Sequence, residues 1–193
     1  MMEKSTIEIE VENALKVLKA GGTILYPTDT IWGIGCDATN ARAVENIYKI
    51  KQRAESKSLI ILVDSFEKIG QYVAKVPDIT FDLVSGVEEP LTIVFANAKN
   101  LAKNVIAPDK SIAIRIVKNT FCQKLIQQFE KPIVSSSANI SGEATPLYFN
   151  KIDKEIIRQV DYVVKVGQDN LKEVKPSKII RINEDGSYEI IRN

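Results

Sequence analysis

The residues of this chain that are best suited to chemistry carry hydroxyl groups or fixed positive charge. Positions 26–35 read Tyr-Pro-Thr-Asp-Thr-Ile-Trp-Gly-Ile-Gly, positions 51–53 read Lys-Gln-Arg, and positions 135–139 read Ser-Ser-Ser-Ala-Asn. The sequence contains no histidine, which excludes an imidazole base, an imidazole metal ligand and a histidine pH switch. Any catalysis must therefore rest on electrostatic stabilisation and on the placement of substrates.

Lys51 and Arg53 have complementary properties for binding phosphate, because an ammonium is a compact point charge whereas a guanidinium holds two oxygens at once. Lys57 follows, so that positions 49–57 carry four cations and one carboxylate, Glu55. A solvated helix face shows the same pattern, so charge alone leaves both interpretations open. The two commonest phosphate-binding loops, Gly-x-x-x-x-Gly-Lys-Ser/Thr and Gly-x-Gly-x-x-Gly, do not occur in the sequence.

Hydroxyl and amide side chains follow two apolar segments. The run 135–139 comes directly after Ile133-Val134, at the carboxyl end of a predicted strand, where open α/β sheets bind ligands. Thr28-Asp29-Thr30 follows another predicted strand. Both groups are equally typical of turns and helix caps, so neither establishes a pocket by itself. Trp32 either stacks on a ligand or packs in the core.

Arg115 lies within the apolar run 112–117, and strand alternation directs its side chain to the same face as Ala113. An arginine on a buried face needs a partner, because an unpaired buried charge is unfavourable. A ligand carboxylate and a structural Asp or Glu meet that need equally well. Arg192 either is exposed or folds back onto a pocket, and Ser177 is uninformative by itself.

Alternating helices and strands must position these residues. Helical spacing of apolar residues predicts helices at 5–20, 43–51, 66–75, 78–85, 119–130 and 151–158. Short apolar runs predict strands at 23–26, 58–63, 91–96, 112–117, 133–135, 162–166, 179–182 and 188–192, and Asn183-Glu184-Asp185-Gly186 predicts a hairpin turn. The segment 27–39, rich in Gly, Thr and Asp, is predicted to be a loop. We therefore expect an α+β fold, a layered α/β sandwich with a single twisted mixed sheet flanked by helices, in one domain over residues 1–193.

Composition restricts the class of protein. A chain of 193 residues with 45% hydrophobic content can bury one sizeable core. Its net charge of +1 provides no overall basic field for non-specific nucleic-acid binding. The N-terminus does not resemble a secretory signal and no apolar run is long enough to span a bilayer, so we expect a soluble, cytoplasmic protein. Cys36 and Cys122 are far apart and are expected to be buried thiols, not zinc ligands.

Taken together, these segments resemble the YrdC-like family of threonylcarbamoyl-AMP synthases. The family pattern Tyr-Pro-Thr-(Asp/Glu)-Thr-x-(Trp/Tyr)-Gly-(Ile/Leu)-Gly matches positions 26–35. The matches that follow, in the family's order, are Lys51-Gln52-Arg53, Pro90-Leu91-Thr92, Ala113-Ile114-Arg115, Ser137-Ala138-Asn139 and Ser141-Gly142. The resemblance extends from Gly21 to Arg192 and corresponds to the short form of the family, without an additional C-terminal domain. It implies a YrdC/RibB-like sheet with a large concave basic cavity.

The resemblance implies a nucleotidyltransferase that makes L-threonylcarbamoyladenylate and pyrophosphate from L-threonine, bicarbonate and ATP. ATP is then a substrate, Mg²⁺ is carried by its phosphates rather than by protein ligands, and no tightly bound organic cofactor is expected. The product serves the threonylcarbamoyladenosine modification of tRNA, with a threonylcarbamoyl-transferring complex as partner. Whether the chain contacts the tRNA directly is left open.

The resemblance also assigns site residues by position. The residues expected to contact ATP are Arg53, Lys57, Ser111, Ser137, Thr145 and Arg192. Those expected to contact threonine are Thr30, Arg115, Ser135 and Ser177. The signature set that we predict to be catalytic consists of Lys51, Arg53, Ser137 and Asn139.

The chain departs from the family pattern at four places. Val87-Glu88-Glu89 replaces the usual Trp-Pro-Gly before Pro-Leu-Thr, which affects the shape of that loop. Leu62 replaces a common histidine, so one threonine contact is either missing or made by another residue. Arg53-Ala54 replaces Arg-Pro, and Ser177-Lys178 replaces Ser-Thr. These changes leave the charged centre of the site unaltered.

Two other functions compete with this hypothesis. One is a non-catalytic module that binds tRNA or structured RNA in the basic cavity, against which the low net charge argues. The other is a related enzyme that forms a carbamoyl-adenylate from a different first substrate. Preference for threonine over serine distinguishes the latter, since one methyl group is worth roughly 1–3 kcal/mol.

Overall fold

The structure, a computed structural model, describes residues 5–54, 59–171, 175–183 and 185–193. Its strands are β1 (Ile24–Tyr26), β2 (Gly33–Gly35), β3 (Ile60–Val63), β4 (Leu91–Phe95), β5 (Ile112–Ile116), β6 (Ile133–Ser137), β7 (Tyr162–Val163), β8 (Lys178–Ile182) and β9 (Tyr188–Arg192). Its helices are α1 (Thr6–Lys19), α2 (Ala41–Ile50), α3 (Ile69–Tyr72), α4 (Ile79–Ser85), α5 (Thr120–Phe129) and α6 (Lys154–Gln159), with 3₁₀ turns at Phe66–Lys68 and Phe149–Lys151. Among the described helices, none has the length and apolarity needed to cross a bilayer.

The nine described strands form one mixed sheet in the order β7-β1-β2-β6-β3-β5-β4-β8-β9. The pairs β1·β7, β3·β5 and β4·β8 are parallel, and the other neighbours are antiparallel. The predicted single mixed sheet flanked by helices is confirmed. Strands β8 and β9 are antiparallel neighbours, as the predicted hairpin requires, and the backbone N–H of Gly186 donates to the carbonyl of Asn183. Glu184, within the predicted turn, lies outside the described residues.

The two faces of the sheet are covered differently. On one face, α2 and α6 bury an extensive core with alternate strand residues, among them Leu25, Ile61 and Ile114. On the other face, α1 and α5 cover a smaller apolar cluster that includes Leu62 and Ile133. Because α1 and α5 shield only part of this second face, the rest of it is available to form a site.

Helix α1 begins and ends as its sequence predicts. The hydroxyl of Ser5 accepts a hydrogen bond from the backbone N–H of Glu8, whose carboxylate in turn accepts from the N–H of Ser5, which is a capping box. At the other end, Gly21 adopts a left-handed φ of +79°, as expected for the residue after a helix. The predicted helix at 5–20 is therefore confirmed to within a residue at each end.

The prediction of an uninterrupted loop at 27–39 is wrong. Gly33–Gly35 forms strand β2 between β1 and β6, although Gly-Ile-Gly has low strand propensity. A Cβ atom added to Gly35 would lie 2.4 Å from the carbonyl oxygen of Val134 and 2.7 Å from the Tyr26 ring. Close approach of neighbouring backbone and side chain therefore requires glycine here, and tertiary packing overrides propensity.

Candidate functional site

A cavity of about 640 Å³ lies on the sheet face that α1 and α5 leave uncovered. Residues opposite one another on paired strands share a face, so the strand register describes its floor. The first row is Ser135, Ile60, Ala113, Val94 and Arg181, and all five line the cavity. The adjacent row is Leu62, Arg115, Thr92, Ile179 and Arg192. Two arginines thus reach the cavity from the second row, on β5 and β9.

Most of the site residues predicted from the sequence lie together. Those that line the cavity are Thr30, Arg53, Ser111, Arg115, Ser135, Ser137, Thr145, Ser177 and Arg192. Lys51 and Asn139 lie next to it without lining it, and Lys57 lies outside the described residues. Among the described lining residues, four are arginines and one, Asp109, is a carboxylate, so the cavity suits an anionic ligand.

Arg115 is buried, with 4% of its surface exposed, and faces the cavity as alternation predicts. Its Nη1 donates to Thr30 Oγ1 at 3.1 Å and its Nη2 to Thr28 Oγ1 at 3.4 Å. Asp29 Oδ1 lies 3.4 Å from Nη2, so a structural carboxylate partner is present. The Nε of Arg115 nevertheless has no hydrogen-bond partner among the described residues, which leaves one buried donor for a ligand.

Ser177 and Arg192 are brought to the same wall by β8 and β9. The guanidinium of Arg192 donates from Nε (3.1 Å) and Nη2 (2.8 Å) to the carbonyl oxygen of Ser177. The Ser177 hydroxyl lies 2.7 Å from that of Thr92. Burial and the nearby Arg115 cation lower the pKa of Arg192. Arg192 therefore folds back onto the cavity, and its charge adds to that of Arg115.

The Lys51-Gln52-Arg53 motif is the end of helix α2. The N–H of Arg53 donates to the carbonyl of Tyr48 (2.9 Å) and that of Gln52 to the carbonyl of Lys49 (3.1 Å), which is a Schellman motif. Gln52, with φ of +47°, occupies the left-handed position. This turn directs the two cations of the motif to different places. Arg53 lines the cavity, whereas Lys51 is buried beside the cavity.

Lys51 and Asn139 hold the loop that carries two of the cavity hydroxyls. The Lys51 ammonium donates to the carbonyl oxygens of Ser137 and of Asn139, the latter at 2.7 Å. The Asn139 side-chain amide donates to the carbonyl of Glu143 at 2.9 Å. These bonds fix the segment between Ser137 and Thr145. Burial and the Arg53 cation lower the pKa of Lys51 to about 8.

Sequence reasoning missed two charged residues in the cavity wall, Asp109 and Arg181. The Asp109 carboxylate accepts from the N–H (3.0 Å) and hydroxyl (2.6 Å) of Ser111 and from Arg181 Nη1 (3.1 Å). Arg181 could have been found from the sequence, because strand alternation places it on the same face as Ile179 and the predicted site residue Ser177. Asp109 could not, since an aspartate in a turn before a strand is unremarkable in a sequence.

Three of the predicted ambiguities and departures have a structural outcome. Trp32 is buried and packs on Phe149, with ring centroids 4.9 Å apart, and it also lines the cavity. Leu62 lies opposite Arg115 in the register and is fully buried in the apolar cluster. The Lys118 ammonium donates at 3.0 Å to the carbonyls of Val87 and Glu88, so the divergent loop before Pro90 is anchored.

Comparison with known proteins agrees with this geometry. The profile of the Sua5/YciO/YrdC family, described as "Telomere recombination", matches residues 16–193. The chain belongs to this family. A threonylcarbamoyl-AMP synthase of Pseudoalteromonas translucida is 37% identical over 167 residues, which cover 85% of this chain and 87% of that protein. A putative threonylcarbamoyl-AMP synthase of Methanocaldococcus jannaschii is 35% identical over 183 residues, covering 92% and 84%.

Solved structures of Sua5/YciO/YrdC proteins share the fold. P. abyssi Sua5 in complex with L-threonine has a TM-score of 0.84 at 23% identity, and the match covers 99% of this chain and 55% of that one. E. coli YciO has a TM-score of 0.83 at 21% identity, covering 99% and 91%. The chain thus spans about half the length of the Sua5 protein and most of the length of YciO.

Proposed function

We propose that this chain is an L-threonylcarbamoyladenylate synthase, which forms threonylcarbamoyl-AMP and pyrophosphate from L-threonine, bicarbonate and ATP. The observation that carries the proposal is the convergence of Arg53, Arg115 and Arg192 on one cavity together with the predicted hydroxyls. A relative at 37% identity bears this enzyme's name, and a relative at 35% identity is named a putative enzyme of this kind. A cavity of about 640 Å³ lies within the range of small-molecule sites.

The amino acid binds at the Arg115 end of the cavity. Its carboxylate pairs with the guanidinium of Arg115, and the unpartnered Nε supports this assignment. The Nη atoms of Arg115 are already held by Thr28, Thr30 and Asp29. The Arg115 side chain is therefore ordered before threonine binds, and it loses little conformational entropy on binding. The hydroxyls of Ser135 and Ser177, which line the same cavity, are assigned in this proposal to the remaining polar groups of threonine.

The triphosphate of ATP binds among Arg53, Arg192, Ser137 and Thr145. Two guanidinium groups and two hydroxyls bring donors from four segments of the chain to the same cavity. Lys57 belongs to the same proposed set. Mg²⁺ arrives on the phosphates of the nucleotide, as is usual for an ion that keeps much of its water.

The reaction needs no protein nucleophile. The threonine amine attacks bicarbonate, water leaves and a carbamate forms. A carbamate oxygen then attacks the α-phosphorus of ATP, the bond from that phosphorus to the bridging oxygen breaks, and pyrophosphate departs with the electron pair. The arginines stabilise the charge on the leaving group and hold the two anions close together. The chain's lack of histidine is compatible with this chemistry.

The adenylate then passes to a complex that transfers the threonylcarbamoyl group to tRNA, in the cytoplasm. In the synthase reaction, Lys51 and Asn139 are positioning residues, because their hydrogen bonds fix the loop between Ser137 and Thr145. Direct contact with tRNA is not required for the first step.

Pyrophosphate release tests the proposal. The purified protein, supplied with ATP, threonine and bicarbonate, is expected to release pyrophosphate and to form an adduct with the mass of threonylcarbamoyl-AMP. Omitting threonine or bicarbonate should abolish both signals, and serine should be used roughly 10-fold or more less efficiently. Pyrophosphate release that does not depend on threonine would contradict the proposal.

A conservative variant tests the amino-acid end. Arg115→Lys should raise KM for threonine by about 10-fold or more, because lysine cannot reproduce the guanidinium geometry, with a smaller effect on KM for ATP. Arg158→Lys, on the exposed side of α6, is the matched control and should behave as the parent. Equal effects of Arg115→Lys on both substrates would show that Arg115 does not select threonine.

A further inference from the structure

One corner of the cavity wall, formed by Asp109, Ser111 and Arg181, has no role in the function proposed so far beyond the assignment of Ser111 to ATP. Ser111 precedes Arg115 by four residues, about 13 Å along an extended strand. Arg181 lies on β8, two strands and about 10 Å from β5 in the sheet. The corner is therefore at the far end of the cavity from the threonine carboxylate.

The charge of this corner disfavours phosphate. Arg181 lies 3.1 Å from Asp109 Oδ2 and 3.8 Å from Glu189 Oε1, so two carboxylates surround one guanidinium. Hydrogen bonds from the side chain and backbone of Ser111 hold the pKa of Asp109 below its usual range, which keeps it ionised at neutral pH. A triphosphate would be repelled here and attracted to the other arginines.

The hydrogen bonds of this corner leave acceptor positions for a donor from the ligand. Ser111 already donates both its hydroxyl and its N–H to Asp109 Oδ1, which leaves the hydroxyl oxygen as an acceptor. Asp109 Oδ2 receives one bond from Arg181 and retains an acceptor position. The corner thus offers two neighbouring acceptors.

The chemical group that matches is a vicinal diol. The two ribose hydroxyls of a nucleotide are adjacent donors, and a carboxylate is a general partner for them. The adenine amine fits less well, because ring nitrogens that are themselves acceptors flank it and would face the carboxylate.

We propose that Asp109 and Ser111 form the ribose end of the nucleotide site, with the 2′- and 3′-hydroxyls donating to Asp109 Oδ2 and Ser111 Oγ. Arg181 is a positioning residue that orients Asp109. This inference rests on the proposed function, since it assigns one end of the same ATP site. It predicts that the protein selects ribonucleotides over deoxyribonucleotides.

Calorimetric binding of ATP, 2′-deoxyATP and 3′-deoxyATP tests the inference without requiring turnover. The parent should bind ATP about tenfold or more tighter than the deoxynucleotide that lacks the hydroxyl bonded to Asp109, because a hydrogen bond to a charged group is lost. The other deoxynucleotide loses only a bond to the neutral Ser111 hydroxyl and should bind about two- to tenfold more weakly than ATP. Asp109→Asn should weaken ATP binding by a similar factor and reduce the discrimination to less than about threefold. Asp78→Asn, an exposed aspartate at the start of α4 without a side-chain cap bond, removes the same charge elsewhere and should retain the parent's selectivity.

The possible outcomes distinguish failure of the ribose assignment from failure of the proposed synthase function. If ATP and both deoxynucleotides bind the parent equally, the ribose assignment is overturned and the synthase proposal stands. If no adenine nucleotide binds the parent, both fail. If Asp109→Asn weakens all three nucleotides equally and only when Mg²⁺ is present, the carboxylate acts on the ion and the inference is again overturned. If Asp109→Asn does not fold, the parent's own selectivity still tests the predicted preference for ribonucleotides, and its absence overturns the inference.

Discussion

Lys51 is a cation that the fold buries beside the cavity instead of exposing within it. Only 1% of its surface is exposed, and its ammonium donates to the carbonyl oxygens of Ser137 and Asn139. By charge alone, Lys51 and Arg53 are both candidates for binding phosphate. In the structure, Lys51 supports the loop after Ser137, whereas Arg53 lines the cavity.

The lowered pKa of Lys51 predicts an unusual dependence of stability on pH. Its pKa falls from 10.5 to about 8 on folding, so between these values the unfolded chain binds a proton that the native protein has released. The free energy of unfolding should therefore rise as pH increases through this window, by about 3 kcal/mol for this group. Urea unfolding at pH 7.5 and pH 10.5 measures the rise.

Lys51→Met is the reference for that measurement. It removes the titrating group and should be less stable at every pH, because two carbonyls lose their donor, but it should lack the rise. Other groups that titrate in the same window cancel when the two pH profiles are subtracted. A flat difference between the profiles would show that Lys51 keeps its ordinary pKa.

At the scale of single elements, the end of α2 is strained in a way that can be relieved. Gln52 has a left-handed φ of +47°, a conformation that glycine adopts without steric cost. Gln52→Gly should raise the free energy of unfolding by roughly 0.5–1 kcal/mol, measured by thermal or urea unfolding, with ATP binding unchanged.

Gln127→Gly provides the opposite case on α5. This exposed residue lies inside a regular helix, where glycine should lower stability by about 1 kcal/mol. If both substitutions destabilise the protein to the same extent, α2 does not end in the left-handed turn described above.

Strand β2 depends on the absence of a side chain at Gly35. Gly35→Ala would place a methyl group 2.4 Å from the Val134 carbonyl oxygen, which accepts a hydrogen bond from the Tyr26 hydroxyl. We expect a loss of about 3 kcal/mol in unfolding free energy, together with reduced activity, because β2 pairs with the strand that carries Ser137.

A second glycine provides the control for this substitution. Gly70 lies in α3, and its nearest neighbour is Val76 at 3.9 Å from the added Cβ. Gly70→Ala should be neutral or stabilise the protein by up to about 1 kcal/mol. Similar losses at both positions would contradict the close packing around β2.

At the scale of the whole molecule, the cavity connects segments from both ends of the chain. Thr30 follows β1, Arg53 follows α2, and Arg192 ends β9. A bound anion therefore bridges elements that would otherwise repel one another through their arginines. ATP at about 100 times its Kd should stabilise the fold by about 2.7 kcal/mol.

For a chain of this size that stabilisation corresponds to a rise in Tm of about 5–10 °C, which a thermal shift assay measures. Arg53→Ala should reduce this shift to a small fraction while leaving the Tm without ligand nearly unchanged. Arg42→Ala, an exposed cation on the same helix, should retain the full shift. If Arg53→Ala instead melts far below the parent and keeps its ATP affinity, Arg53 is structural.

Local signals in the sequence were sufficient to predict most helices and strands and to recognise the family. The capping box at Ser5, the helical spacing along α1 and the alternation around Arg115 act over a few residues, so they can be recognised without coordinates. The failure at β2 has the opposite cause. Gly33–Gly35 forms a strand because of what approaches it from β1 and β6, and no local pattern encodes that approach.

Ordered motifs and hydrophobic periodicity are properties of the chain as written, so the fold class, the order of the motifs and the candidate residues could be predicted without coordinates. The tertiary structure decided which cations enter the cavity and which support it, and it brought Asp109 and Arg181 into the wall. Those outcomes depend on strand register and burial between residues far apart in the chain. Such contacts arise only when the sheet has formed.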